Sequence, residues 1–185
     1  MAALDSAIRL TEAVEPADLD LARTLFREYH QAIGVDLCFQ GFDAELATLP
    51  GAYARPAGRL LLAWRGETPV GCGALRPLAP GVAELKRMWT RPGQRGQGVA
   101  RAVAESLLAA ARTEGYRAVR LDTLDWMKAA RSLYASLGFA EIGPYYANPL
   151  PGVVFMELGI EALSVDPAGE DRLGTAGGAV SRRTP

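Results

Sequence analysis

Several absences bound what this chain can be. Among its 185 residues there is one histidine, His30, which leaves no material for a histidine-rich metal site and excludes most histidine-based catalysis. The two cysteines, Cys38 and Cys72, lie far apart, match no CxxC pattern and form no disulfide framework. Two reduced thiols in a cytoplasmic protein are therefore expected. No apolar run is long enough to cross a bilayer, and the opening MAALDSAIRL lacks the apolar core of a signal peptide. Charge of one sign is missing too. The formal net charge is −1, which argues against a nucleic-acid partner while leaving room for a local cationic cleft. The expectation at this point is no metal, no nucleic-acid partner and no membrane partner.

What is present is a globular composition. Hydrophobic residues make up 49% of the chain, and its length can bury a core without disulfides or metals. A single domain over residues 1–160 is expected, followed by a disordered tail over 161–185, rich in Gly, Ala, Ser and charge. Residues 7–14 alternate like a strand. Pro16 opens a helix to about residue 33, and Gly34 suits its exit. A loop then leads to a short helix from Asp43, and residues 50–58 read as a connection. Strands at 59–65, 69–76 and 82–90 form a meander. A basic, glycine-rich loop at 91–98 precedes a helix from Val99 to about Glu114, whose Ala100, Val103, Ala104, Leu107, Leu108 and Ala111 share one face. A strand at 117–123 follows, then a helix at about 126–137 with Asp125 as a candidate N-cap. Strands at 139–142 and 153–158 close the pattern.

The order β-α-α-β-β-β-α-β-α-β-β contains one strand–helix–strand crossover, which implies a parallel pair, flanked by hairpins, which imply antiparallel neighbours. A mixed α/β sheet with helices on both faces results. Strict alternation along 82–90 puts Glu84, Lys86, Met88 and Thr90 on one face and Leu85, Arg87 and Trp89 on the other.

The strongest local feature is ArgGlyGlnGlyValAla at 95–100, between a strand and a helix. Gly96 and Gly98 permit backbone shapes in which successive N–H groups point into one hollow. The helix start adds unpaired donors and a positive dipole end, so the segment forms a nest for phosphates, with Arg91, Arg95 and Arg101 nearby. The Gly-Lys-Ser/Thr of a P-loop is absent. Gly93, Gly96 and Gly98 also miss the spacing of a dinucleotide fingerprint. A plain glycine-rich turn into a helix remains the alternative.

A second motif, SerLeuTyrAlaSerLeuGlyPhe at 132–139, follows at a fixed distance. Arg95, Gly98 and Ala100, together with Ala130, Leu133, Tyr134, Gly138 and Phe139, resemble the two signature motifs of the GNAT superfamily of acetyltransferases. The likeness covers roughly residues 7–159. It implies a mostly antiparallel sheet of about seven strands in which strands 4 and 5 run parallel and splay apart. It also implies acetyl-CoA as co-substrate. The cofactor-binding residues it implies are Met88, Trp89, Thr90, Arg95, Gly96, Gln97, Gly98, Val99, Ala100, Arg101 and Met127, with the Met88 N–H facing the thioester carbonyl. Met127 is a departure, because the family often has Asn there.

The implied reaction is direct transfer of an acetyl group to the amine of a small-molecule or peptide acceptor. An alkyl amine with a pKa near ~10 arrives protonated, so a base is needed, and the leaving thiolate benefits from an acid. Tyr134 is the candidate acid and Glu84 the candidate base. Phe39, Gln40, Phe42, Tyr145, Tyr146 and Asn148, on loops, are candidates for the acceptor pocket. Asp122 and Asp125 are placed to meet a cationic acceptor. Alternatives that keep the fold are another acyl-CoA, an oxygen acceptor, or a non-catalytic acyl-CoA sensor. The C-terminal strands offer an edge for a homodimer.

Overall fold

A computed structural model describes residues 7–35 and 41–160. Phe39, Gln40, Cys38 and the tail at 161–185 lie outside the described residues. The strands are β1 (Ile8–Glu12), β2 (Arg59–Arg65), β3 (Thr68–Ala79), β4 (Val82–Thr90), β5 (Ala118–Leu124), β6 (Ala140–Ile142) and β7 (Val153–Gly159). The helices are α1 (Pro16–Ile33), α2 (Phe42–Thr48), α3 (Val99–Thr113) and α4 (Lys128–Ser136). The strands form one sheet in the order β1-β2-β3-β4-β5-β7-β6, antiparallel except for β4 against β5. This is the mixed sheet expected from the element order.

The two faces bury different helices. On one, Leu61, Ala63, Leu75, Ala83 and Leu85 pack with Val103, Leu107 and Ala111 of α3 and with Tyr134 of α4. On the other, Leu60, Leu62, Cys72, Ala74 and Trp89 pack with Ala22, Leu25 and Phe26 of α1 and with Phe42 and Leu46 of α2. Pro16 stands at the start of α1, and Gly34 ends the helix with φ of 65°.

Two local expectations fail. Asp125 does not cap α4, which begins at Lys128 behind Met127 with no side-chain cap. The chain turns tightly before the helix, and the Asp125 N–H donates to the Gly152 carbonyl at 2.7 Å, tying that turn to β7. The alternation along β4 also breaks. Lys86 pairs with Ala74 but Trp89 pairs with Cys72, so β4 carries one residue more than β3 across this stretch. Arg87 takes up the difference with φ of 56°. The phase then reverses: Met88 joins Leu85 on the α3 face, and Trp89 packs on the α1 face. Gly73 opposite makes room, since a Cβ there would lie 2.5 Å from the Met88 sulfur.

A left-handed arginine in a strand costs about 1–3 kcal/mol unless its surroundings hold it. Here they do. Arg87 Nε donates to Glu45 Oε1 of α2 at 2.9 Å, and the guanidinium lies 5.1 Å from the Phe42 ring centre. Glu45 also accepts from the Tyr53 hydroxyl at 2.8 Å, and the Cys72 thiol donates to the Arg87 carbonyl at 3.5 Å. Burial works to raise the Glu45 carboxyl, but the hydrogen bonds and charge of Arg87 prevail and hold it below its ordinary 4.5. A depressed carboxyl contributes stability above its unfolded value and loses it as the pH falls through the folded value. We expect Glu45→Ala, which strands a buried guanidinium, to lower unfolding free energy by about 3 kcal/mol or more. Urea denaturation at neutral pH checks this. The same variant should be less sensitive than the wild type to acidification below pH 4.5.

Candidate active site

The site begins where β4 and β5 part. The two strands pair only at Val82, Ala83 and Glu84 against Ala118, Val119 and Arg120. β4 then continues to Thr90 and β5 to Leu124 without each other. The β4 edge from Leu85 onward therefore faces a gap instead of a strand, and the bulge at Arg87 lies along that gap.

The gap opens into a cavity of about 760 Å³ bounded by β4, the loop before α3, and α4. Met88, Trp89, Thr90, Arg95, Gly96, Gly98, Val99, Ala100, Arg101, Met127 and Tyr134 all line it. Gln97 does not: its side chain bonds back to the Gly93 carbonyl at 3.0 Å, on the exposed side of the loop. Gly96 and Gly98 have φ of 72° and 84°, and the space above Gly96 is open. No side chain caps α3, and its first helical bond runs from the Ala102 N–H to the Gly98 carbonyl at 3.0 Å. The N–H groups of Val99, Ala100 and Arg101 thus have no partner within the helix. Thr90 Oγ1 and Gln94 Oε1, in residues of the same wall, are buried without partners. Backbone donors in a hollow of this size, plus orphaned polar atoms along the wall, fit a long phosphate-bearing ligand such as coenzyme A.

The cations near the loop divide. Arg95 stays at the cleft, its guanidinium 4.9 Å from the Trp89 ring centre and its Nε donating to the Thr90 carbonyl at 3.2 Å. Arg101 bonds Ser136 of α4 at 2.7 Å, bridging the two helices at the cleft. Arg91 turns away, bonding Glu28 and the Pro69 carbonyl at 2.7 and 2.6 Å. Trp126, Lys128 and Leu133 line the cleft without having been anticipated. The signal for Trp126 was a tryptophan in a turn with no core to enter; it is 54% exposed. Met127, just before α4, and Ala130 and Leu133 within it are half-buried because that face borders the cleft.

A small cavity of about 60 Å³ adjoins the large one and shares Ile33, Met88, Met127, Ala130 and Tyr134 with it. Its walls include Tyr29, Lys86, Arg87 and Asp122. Tyr134 stands at the junction, and its hydroxyl has no hydrogen-bond partner among the described residues. Burial pushes this phenol well above its ordinary 10.0. Asp122 is the one carboxylate lining either cavity among the described residues. It accepts from Lys86 Nζ at 2.8 Å, the Tyr146 hydroxyl at 3.0 Å and Asn148 Nδ2 at 3.4 Å.

Glu84 lines neither cavity. It is 1% exposed, and its oxygens are engaged by Arg76 at 2.7 Å and by the Tyr145 hydroxyl at 2.7 Å. Phe42 is likewise a packing residue, stacked on His30 with ring centres 4.8 Å apart. Tyr145 and Tyr146 pack on Phe155 at 5.0 and 5.4 Å and line neither cavity; Tyr146 reaches the small one through Asp122, while Tyr145 bonds the secluded Glu84. Cys72 is fully buried away from both cavities, and burial raises its thiol far above the ordinary value. It is no nucleophile.

The family model described as the acetyltransferase (GNAT) family matches residues 20–139. The chain belongs to this family. A relative in Schizosaccharomyces pombe, an uncharacterized N-acetyltransferase, is 40% identical over 156 residues, 83% of this chain and 95% of its own. The IAA acetyltransferase of Azospirillum brasilense is 38% identical over 106 residues, 56% of this chain and 69% of its own. Among solved structures, the PaiA N-acetyltransferase of Thermoplasma acidophilum in complex with coenzyme A superposes with a TM-score of 0.64 at 16% identity, covering 83% of this chain and 99% of that one. This GNAT chain is an acetyl-CoA-dependent N-acetyltransferase. No described helix is long and apolar enough to cross a membrane.

The nest can be tested by a small change. Gly96→Ala has room for its methyl group, but the left-handed backbone then costs about 1–2 kcal/mol. We expect the loop to relax and coenzyme A affinity to fall by about tenfold, with little change in unfolding midpoint of the free protein. Calorimetric titration of coenzyme A into both proteins checks this.

Proposed function

We propose that the acetyl group passes directly to an acceptor amine in the small cavity, with Asp122 taking the amine proton and Tyr134 protonating the departing sulfur. The observation that carries this reading is the junction itself. An unpartnered phenol stands where the two cavities meet, and the one carboxylate that lines either of them among the described residues, Asp122, is in the wall of the small one. When bound, acetyl-CoA supplies an activated thioester, so positioning and proton handling are what remains for the chain's own residues.

In this reading the backbone nest at Gly96–Ala100 holds the pyrophosphate and the open edge of β4 holds the pantetheine arm. The Met88 N–H, beside the bulge, polarises the thioester carbonyl. The amine lone pair forms the new C–N bond as the C–S bond breaks. Asp122 takes one proton from the ammonium and so frees the lone pair, Tyr134 gives its proton to the thiolate, and the second nitrogen proton, acidic once the C–N bond has formed, returns to the Tyr134 oxygen. Lys86, Tyr146 and Asn148 hold Asp122 in place. Glu84, which lines neither cavity, stays structural. A buried, inert Cys72 favours this direct route over an acyl-enzyme. The reading also includes a single catalytic domain ending near residue 160 and a cytoplasmic location, which suits a free thiol in the core.

Tyr134→Phe should lower kcat by about 10²-fold or more at saturating substrates. In the wild type, a phenol raised above 10.0 remains protonated through that pH, so kcat should show no alkaline loss below pH 10.0. Stopped assays of thiol release across pH check both. Unchanged kcat in Tyr134→Phe removes this residue from the chemistry.

A further inference from the structure

The walls of the small cavity are charged but balanced. Arg87 is matched by Glu45, while Glu84, behind the wall, is engaged by Arg76 and lies 3.5 Å from Lys86 Nζ. What remains facing the space is one cation beside one anion, Lys86 Nζ and Asp122 Oδ1, 2.8 Å apart. Their side chains are only 8% and 14% exposed, so the pair sits in a poorly screened environment where a mismatched ligand charge is expensive. The rest of the wall near the pair is apolar, with Val35, Leu121 and Leu124, and includes the Tyr29 hydroxyl, which has no partner among the described residues.

A balanced pair favours a balanced ligand. A polycation would need several carboxylates, and Asp122 stands alone in the two cavities among the described residues. A simple monoamine would answer Asp122 and leave Lys86 to the more distant Glu84, 3.5 Å away, with no partner from the ligand. An α-amino acid answers both. Its ammonium nitrogen and carboxylate oxygens hang from one carbon, about 3 Å apart by standard bond lengths, which matches the spacing of the protein pair. Laid head to tail, the two dipoles form a square of alternating charge, with charge-assisted hydrogen bonds on both new sides. Asp122 then meets the very ammonium whose proton must leave. The volume of about 60 Å³ admits a small body, so a short side chain is preferred.

We propose that the Lys86–Asp122 pair is a docking element for a zwitterion, and that the acceptor class is a small α-amino acid with a free carboxylate. This rests on the direct-transfer reading for its chemistry but not for its binding geometry.

The experiment uses the full chain saturated with acetyl-CoA and three probes: alanine, alaninamide and putrescine. Thiol release should give a kcat/KM for alanine at least about tenfold above that for alaninamide and putrescine, the worth of a charged hydrogen bond. Lys86→Met should erase the preference for alanine by raising its KM, and Lys86→Arg should retain part of it. Equal or higher kcat/KM for alaninamide or putrescine overturns the proposal, as does an alanine preference that survives Lys86→Met. Binding is read separately, as the rise in unfolding midpoint on adding alanine or alaninamide to the coenzyme A complex of the wild-type chain. If no probe is acetylated although coenzyme A binds, the transfer reading fails. Alanine stabilising the complex more than alaninamide would then still support the docking element, and no difference would overturn it.

Discussion

A single arginine in a left-handed conformation sets the geometry on which the site depends. Arg87 interrupts β4 with φ of 56°, and that bulge shifts every residue after it by one position. Without the shift, Met88 would face α1 and Trp89 would face α3. With it, Met88 lies against Gly73 and borders both cavities, and Trp89 forms a ring contact with Tyr29 of α1 at 6.2 Å. The strain is held by Glu45, which is itself braced by Tyr53, so α2 is tied to β4 through one buried ion pair. The energetic logic is ordinary: a conformation costing about 1–3 kcal/mol persists because breaking its clamp costs about 3 kcal/mol or more.

The splay of β4 from β5 gives the bulge its purpose. Strand edges are normally paired, covered or blunted. Here the edge beyond Glu84 stays open on the β5 side, and the α3 helix start and the Gly96–Gly98 turn stand at its far end. A ligand with an amide-rich arm and a pyrophosphate head matches both features at once. The acetyltransferase assignment thus rests on backbone more than on side chains, which is why members of the family can differ so far in sequence around a shared cleft.

The fold was legible because it is punctuated. Pro16 and Gly34 bracket α1, Gly98 and Gly115 bracket α3, and Gly138 follows α4, each at a position whose backbone demands it. The glycine-rich loop before α3 was legible for the same reason: glycine at a positive φ leaves a mark in sequence. The bulge left none, because its residue is arginine, and alternation along β4 therefore assigned Met88 and Trp89 to the wrong faces. Glu84 looked like a base because it sits on the right strand. Only the packing reveals that Arg76 and Tyr145 consume its oxygens, while Asp122, one strand over, borders the cavity. Asp125 looked like a cap, but its backbone is committed to Gly152. Long-range partners of this kind have no local signature.

In the proposed binding mode coenzyme A lies along the open edge of β4 with its phosphates at the start of α3. The most direct measurement is residue-resolved amide NMR of the isotope-labelled chain during titration with coenzyme A. This binding mode puts the largest shifts on Leu85–Thr90 and on Gly96–Ala100, with Tyr134 and Met127 following, and leaves β1, β2 and β6 still. Shifts concentrated away from the β4–β5 gap, or none at saturating coenzyme A, would contradict it.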